Sequence, residues 1–169
     1  MNLAFLDDFQ DPYLKEPQGR GALLAGVLLG YMAYRQASRS SGAQGTGAQD
    51  NGSAAEPTGI DRSPLFKQIQ FGRLDIRTLK RLLARVPQLI AAYRDSMSRS
   101  SGNLNRLCAK AGELLISGQP GDLGTDGNFA FTVGFVNAVE YYWQIFGSRD
   151  VDNIVESRAD LEQDSKGGM

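Results

Sequence analysis

Gly21-Ala-Leu-Leu-Ala-Gly-Val-Leu-Leu-Gly-Tyr-Met-Ala-Tyr34 is the most apolar run of the chain, and Arg20 and Arg35 bracket it. As a helix rising 1.5 Å per residue, such a run is roughly 21 Å long. The hydrocarbon core of a bilayer is about 30 Å thick and asks for about 20 apolar residues. The run is therefore too short to cross a membrane, although Gly26-x-x-x-Gly30 has the spacing of a membrane-helix dimerisation pair. It reads instead as a buried helix whose two glycines let a neighbour come close. Pro17 suits the first turn, Leu23, Leu24, Val27, Leu28 and Tyr31 share one face, and the helix is expected to end near Ala37. Together with the helical patterns that follow it, the run points to an all-α bundle.

Outward from that run, the partners are visible as further helical patterns. Ser63-Pro64 is a helix start, with Ser as the cap and Pro at the first helical position; Gly72 is expected to close that helix after Phe71. Asp75 caps the next, Ile76 to about Arg85, with Ile76, Leu79, Leu82, Leu83 and Val86 on one face. Pro87 ends or kinks it and opens another helix to about Met97. After a turn over Ser98–Gly102, Asn103 to Ile116 is helical, and Gly118–Gly124 is a loop. Thr125 or Asp126 caps a long helix to Phe146, ended by Gly147; Phe129, Val133, Val136, Glu140 and Trp143 run down one side of it. No run keeps the period-2 alternation of a strand. The expectation is a single helical domain over 1–169 with five to six helices. Residues 38–59, all small or polar, form a long flexible loop after the first helix, and 148–169 form an acidic, partly disordered tail.

Charge is segregated along the 169 residues, although the net charge is only −1. Residues 1–60 carry four basic and six acidic groups, net −2. Residues 61–110 carry eleven basic and three acidic, net +8, and residues 111–169 carry three basic and ten acidic, net −7. Eight of the eleven cations in the middle segment are Arg, the side chain suited to bidentate phosphate contact. Arg73, Arg77, Arg81 and Arg85 are spaced by four and predict one row, with Lys80 beside it and the apolar positions opposite. Like charges at that spacing cost about 0.2–0.5 kcal/mol per pair. A structural surface would normally intersperse Glu, and none occurs between Arg62 and Gly112. Three readings compete for this face: nucleic-acid binding first, then pairing with an acidic protein surface or the chain's own acidic tail, then plain solvation. The nucleic-acid candidates are Lys67, Arg73, Arg77, Lys80, Arg81, Arg85, Arg94, Arg99 and Arg106. Phe71 and Tyr93 lie in the same segment and suit base stacking, but their spacing favours the core, so backbone binding without sequence preference is expected.

Catalytic signatures are missing. With no His, the commonest general base and metal ligand is absent, and a lone Cys108 permits neither an intrachain disulfide nor a thiolate zinc cluster. Cys108 falls on the apolar side of its helix and reads as a small core residue. There is no phosphate-cradling Lys loop and no nucleophile elbow; the carboxylates Asp7-Asp8, Asp122 with Asp126, and Asp150 with Asp152 sit in exposed termini or loops. The expectation is a non-enzymatic protein with no cofactor and no metal. The acidic start, with Asp7, Asp8 and Asp11, does not resemble a signal peptide, and a reducing cytoplasm is the expected compartment.

Four segments in order carry a resemblance: Gly21 to Gln36, then Ser63-Pro-Leu-Phe-Lys-Gln-Ile-Gln-Phe71, then the Arg-rich helix pair, then Thr125-Asp-Gly-Asn-Phe-Ala-Phe-Thr-Val-Gly-Phe135. Together, over roughly residues 20–147, they resemble the C-terminal region of the large subunit of type I-B CRISPR Cascade complexes. Type I-D large subunits are a near alternative. In such systems this region is also made separately, from an internal start codon, as the small subunit, and Met1 suits such a start. The resemblance implies a helical bundle without a catalytic site. It would line the belly of the complex in several copies, pack on the backbone and large subunits, and stabilise the guide RNA–target DNA duplex and the displaced strand. The Ser/Gly stretch over 38–59 departs from that pattern. The alternative is a helical adaptor whose basic face docks on an acidic partner.

Overall fold

The computed structural model describes residues 1–42, 59–117 and 122–147. They are helical, with no strand among them. Eight segments follow one another: α1 (Pro17–Gly42), α2 (Pro64–Gln68), α3 (Ile76–Ala84), α4 (Val86–Ala92), α5 (Arg94–Met97), α6 (Ser101–Ser117), α7 (Gly124–Val136) and α8 (Ala138–Phe146). Two 3-10 turns precede α1, and one each precedes α2 and α6. The breaks at Tyr93 and Asn137 are kinks between consecutive helices; with each kinked pair taken as one, there are six.

Helix α1 is the axis of the bundle. Every residue from Gly21 to Ala33 is buried. Helices α6, α7 and α8 pack around it, with α2 and α5 at its C-terminal half. No described helix is long and apolar enough to cross a membrane. The two bracketing arginines fasten α1 at its ends. Arg20 donates to the Leu14 carbonyl (3.0 Å) and pairs with Asp7 (2.7 Å), while Arg35 donates to the Ser96 carbonyl at the end of α5 (2.9 Å from Nε). Tyr31 stacks on Tyr142 of α8 with ring centroids 3.8 Å apart.

The closest approach is between α1 and α7, and glycines make it. A methyl group at Gly26 would collide with the carbonyl of Phe131, one at Gly134 with the carbonyl of Leu23, and one at Gly30 with Phe135 and Ala138. The backbones are in direct contact there, which only small residues permit. Phe131 and Phe135 flank this contact and join Phe71 and Phe66 in an aromatic cluster.

Several boundaries depart from the sequence reading. Helix α1 runs through Ser38 to Gly42, because Ala37 is buried and the Ser38 hydroxyl donates back to the Tyr34 carbonyl (2.9 Å). Gly59 begins a 3-10 turn, and the rest of the 38–59 segment lies outside the described residues, as does the tail over 148–169. Helix α2 stops at Gln68, before the expected Phe71. Ile69 is extended so that its side chain can be buried, and Phe71 turns onto the aromatic cluster. Helix α6 starts at Ser101, earlier than Asn103.

Candidate nucleic-acid interface

Helix α3 is amphipathic by construction. Ile76, Leu79, Leu82 and Leu83 are buried, and Val86 continues that face into α4. Asp75 caps it as expected, its carboxylate accepting from the Thr78 N–H at 2.5 Å. That hydrogen bond, then the one from the Thr78 hydroxyl, and then the nearby Arg77 and Arg81, hold the Asp75 carboxyl below its ordinary value. On the opposite side Arg77, Lys80, Arg81 and Arg85 all project into solvent. From Arg77 to Arg85 the row is roughly 12 Å long at 1.5 Å per residue.

All nine candidate residues are exposed: Lys67, Arg73, Arg77, Lys80, Arg81, Arg85, Arg94, Arg99 and Arg106. Four of them share the α3 comb. The end of the comb is tied to α2, which carries Lys67, because Arg85 Nη1 donates to Oε1 of Gln68 at 2.7 Å. Arg106 stands on α6, which packs against both α3 and α4; the Cys108 thiol there lies 3.5 Å from the Leu83 carbonyl. Arg94 and Arg99 lie past the break at Tyr93, on the corner between α5 and α6, where Arg94 edges a cleft of about 310 Å³. Arg73 does not belong to the helical row. Gly72 adopts φ 77° and Asp75 occupies the capping position, so Arg73 sits in the turn before α3, two residues outside its cap. Among the described residues, none of the nine takes part in an ion pair; Arg20 pairs with Asp7, and Lys110 with Glu113 (3.1 Å).

Phe71 and Tyr93 are half-buried and pack against the core. The most exposed of the described aromatics is Phe129, which the sequence did not single out for binding. Phe129, Val136 and Trp143 do share one side of α7 and α8, and that side is the outer one: they are 64%, 74% and 43% exposed. Nothing in the polarity of α7 selects its inner face, which is set by where Gly134 meets α1. The signal was the Gly127 and Gly134 spacing rather than any hydrophobic period. Cys108 is half-buried, and burial pushes its thiol up, away from the reactive thiolate. No group of three or more His, Cys, Asp or Glu side chains gathers among the described residues.

No protein-family model, curated protein or solved structure matches this chain.

Proposed function

We propose that this chain is a non-catalytic small subunit of a type I CRISPR RNA-guided surveillance complex, of the I-B kind with I-D as the nearest alternative. In it the chain holds nucleic-acid backbone in antiviral defence. The observation that carries the reading is the α3 comb: Arg77, Lys80, Arg81 and Arg85 stand exposed and, among the described residues, outside any ion pair, on a helix whose other face is core. A helix that bears like-charge pairs at i, i+4 without interspersed Glu stores mild repulsion, which a polyanion relieves. In RNA-guided recognition base pairing reads the sequence, and the protein needs only shape and charge. The segment order quoted above supplies the family. Val136 and Trp143, exposed on the outer side of α7 and α8, suit packing on backbone subunits, the large subunit or a further copy of this chain.

Titration of the full chain with labelled single-stranded DNA at several salt concentrations tests this reading. Each phosphate contact contributes a slope of about −0.7 in log affinity against log salt for single strands. The variant carrying Arg77→Ala, Arg81→Ala and Arg85→Ala is expected to reduce that slope by about 2 with an unchanged circular dichroism spectrum. A folded wild-type protein that binds no strand at low salt rejects the reading, and leaves the comb to an acidic protein partner. Co-purification with an RNA of uniform length would tie the chain to a guide-RNA complex.

A further inference from the structure

A cleft of about 520 Å³ opens beside the N-terminal end of α3, between the Gly72–Arg73–Leu74 turn and the first turns of α7. Arg73 and Phe129 are both on its walls. Their relation is fixed by one residue. Asn128 is 7% exposed; its Oδ1 accepts from the Leu74 N–H (2.8 Å), and its Nδ2 donates to the carbonyls of Leu74 (3.0 Å) and Gly124 (2.8 Å). The turn is thus clamped to α7, and the two residues next to the clamped positions, Arg73 and Phe129, are held in place across the opening. Gly72 and Gly124, both at positive φ, put no side chain into the cleft, and the space beside each is open, since a Cβ at either meets nothing within 4 Å. Helix α7 starts there without a side-chain cap at Leu123, so first-turn N–H groups remain for a ligand.

The charge of the cleft argues against a free anion. Arg73 is its cation and Asp122 its acid, so their sum is zero. A ligand that fits presents one phosphate to Arg73 and a flat, largely uncharged surface to Phe129. We infer that the cleft takes one unpaired base of a single strand, stacked on Phe129, with Arg73 on the adjoining phosphate. The inference rests on the backbone-binding reading above. Arg73 sits in the turn that leads into α3, so a strand laid along the comb towards the start of that helix reaches the cleft. The comb contributes affinity without preference for base or pairing state, whereas the cleft requires an unstacked base and so distinguishes single strand from duplex.

The test uses the full chain and a single-stranded oligonucleotide carrying one 2-aminopurine, whose fluorescence is quenched on stacking. Wild type is expected to quench it. Phe129→Leu is expected to remove the quench and weaken binding about tenfold, with Phe129→Trp retaining both. Arg73→Ala is expected to weaken binding to the single strand more than to a duplex of the same length. Phe129 is exposed, so the leucine variant should melt as wild type does. If wild type binds with a normal salt slope and Phe129→Leu quenches and binds equally well, the cleft proposal is overturned while the comb reading stands. If wild type binds no strand at all, both fall together.

Discussion

From Gly21 to Ala33 in α1 every residue is buried, whereas on α3 only Ile76, Leu79, Leu82 and Leu83 are. The first helix has no spare face: its partners surround it, and its glycines bring one of them to backbone contact. The second spends half its circumference on the core and leaves the rest to four cations. Tolerance should divide accordingly. Changes to α1 are read out as stability, and changes to the outer side of α3 as binding.

The largest effect is expected where the backbones touch. Gly134→Val, or Gly26→Val, places a branched side chain against a carbonyl of the facing helix. Overpacking commonly costs about 1–3 kcal/mol, and a rigid backbone neighbour puts these variants at or beyond the top of that range. Thermal melts followed by circular dichroism should show a large drop or no cooperative transition; a wild-type melt would mean that α1 and α7 are not in contact. Next comes Leu79→Ala, on the inner face of the comb helix and fully buried. A loss of about 2–5 kcal/mol in urea unfolding is expected, with DNA binding retained below the transition.

Asp75 sharpens the comparison at the helix end. Its carboxyl is held below the ordinary value in the folded protein, so it contributes stability above the unfolded-state value of about 3.9. That contribution is lost as pH falls through the lower folded value. Asp75→Asn keeps a capping oxygen and should flatten this acid-side dependence, while Asp75→Ala should lower stability at neutral pH as well. Urea midpoints measured between neutral and acid pH check both, and an Asn variant with the wild-type pH profile would remove Asp75 from the account. The smallest effect on stability belongs to Arg77→Gln with Arg81→Gln. Relief of like-charge repulsion should leave stability within about 0.5 kcal/mol, on the stabilising side. A strongly destabilised double variant would show that the comb is structural.

Much of this is legible in the sequence. The central helix is, because fourteen consecutive apolar residues bounded by Arg20 and Arg35 leave a short helix no solvent side. The two faces of α3 are, because charge and Leu alternate at helical spacing and Ser63 and Asp75 sit at helix starts. Helix α7 is less so. Phe129, Phe131, Val133, Phe135 and Val136 make it apolar nearly all round, so polarity leaves its rotation open. Steric fit decides instead, turning Gly134, Phe131 and Phe135 inward and Phe129 outward. The kink at Asn137, whose side-chain amide donates to the Val133 carbonyl (2.9 Å), then resets the phase for α8. Arg73 was misplaced for a local reason, since a four-residue spacing reads as helical even when a positive-φ glycine and a cap intervene.

The contact between Gly26 and the Phe131 carbonyl joins positions about 100 residues apart in the chain. During synthesis at about 5–20 residues per second, the first helix therefore waits roughly 5–20 s before its principal partner exists. Over that interval the side of α1 that α7 will cover is bare, and what emerges next is the small, polar stretch over 43–58 and then the cationic segment. The order of manufacture thus leaves the tightest contact of the fold to the last helices made.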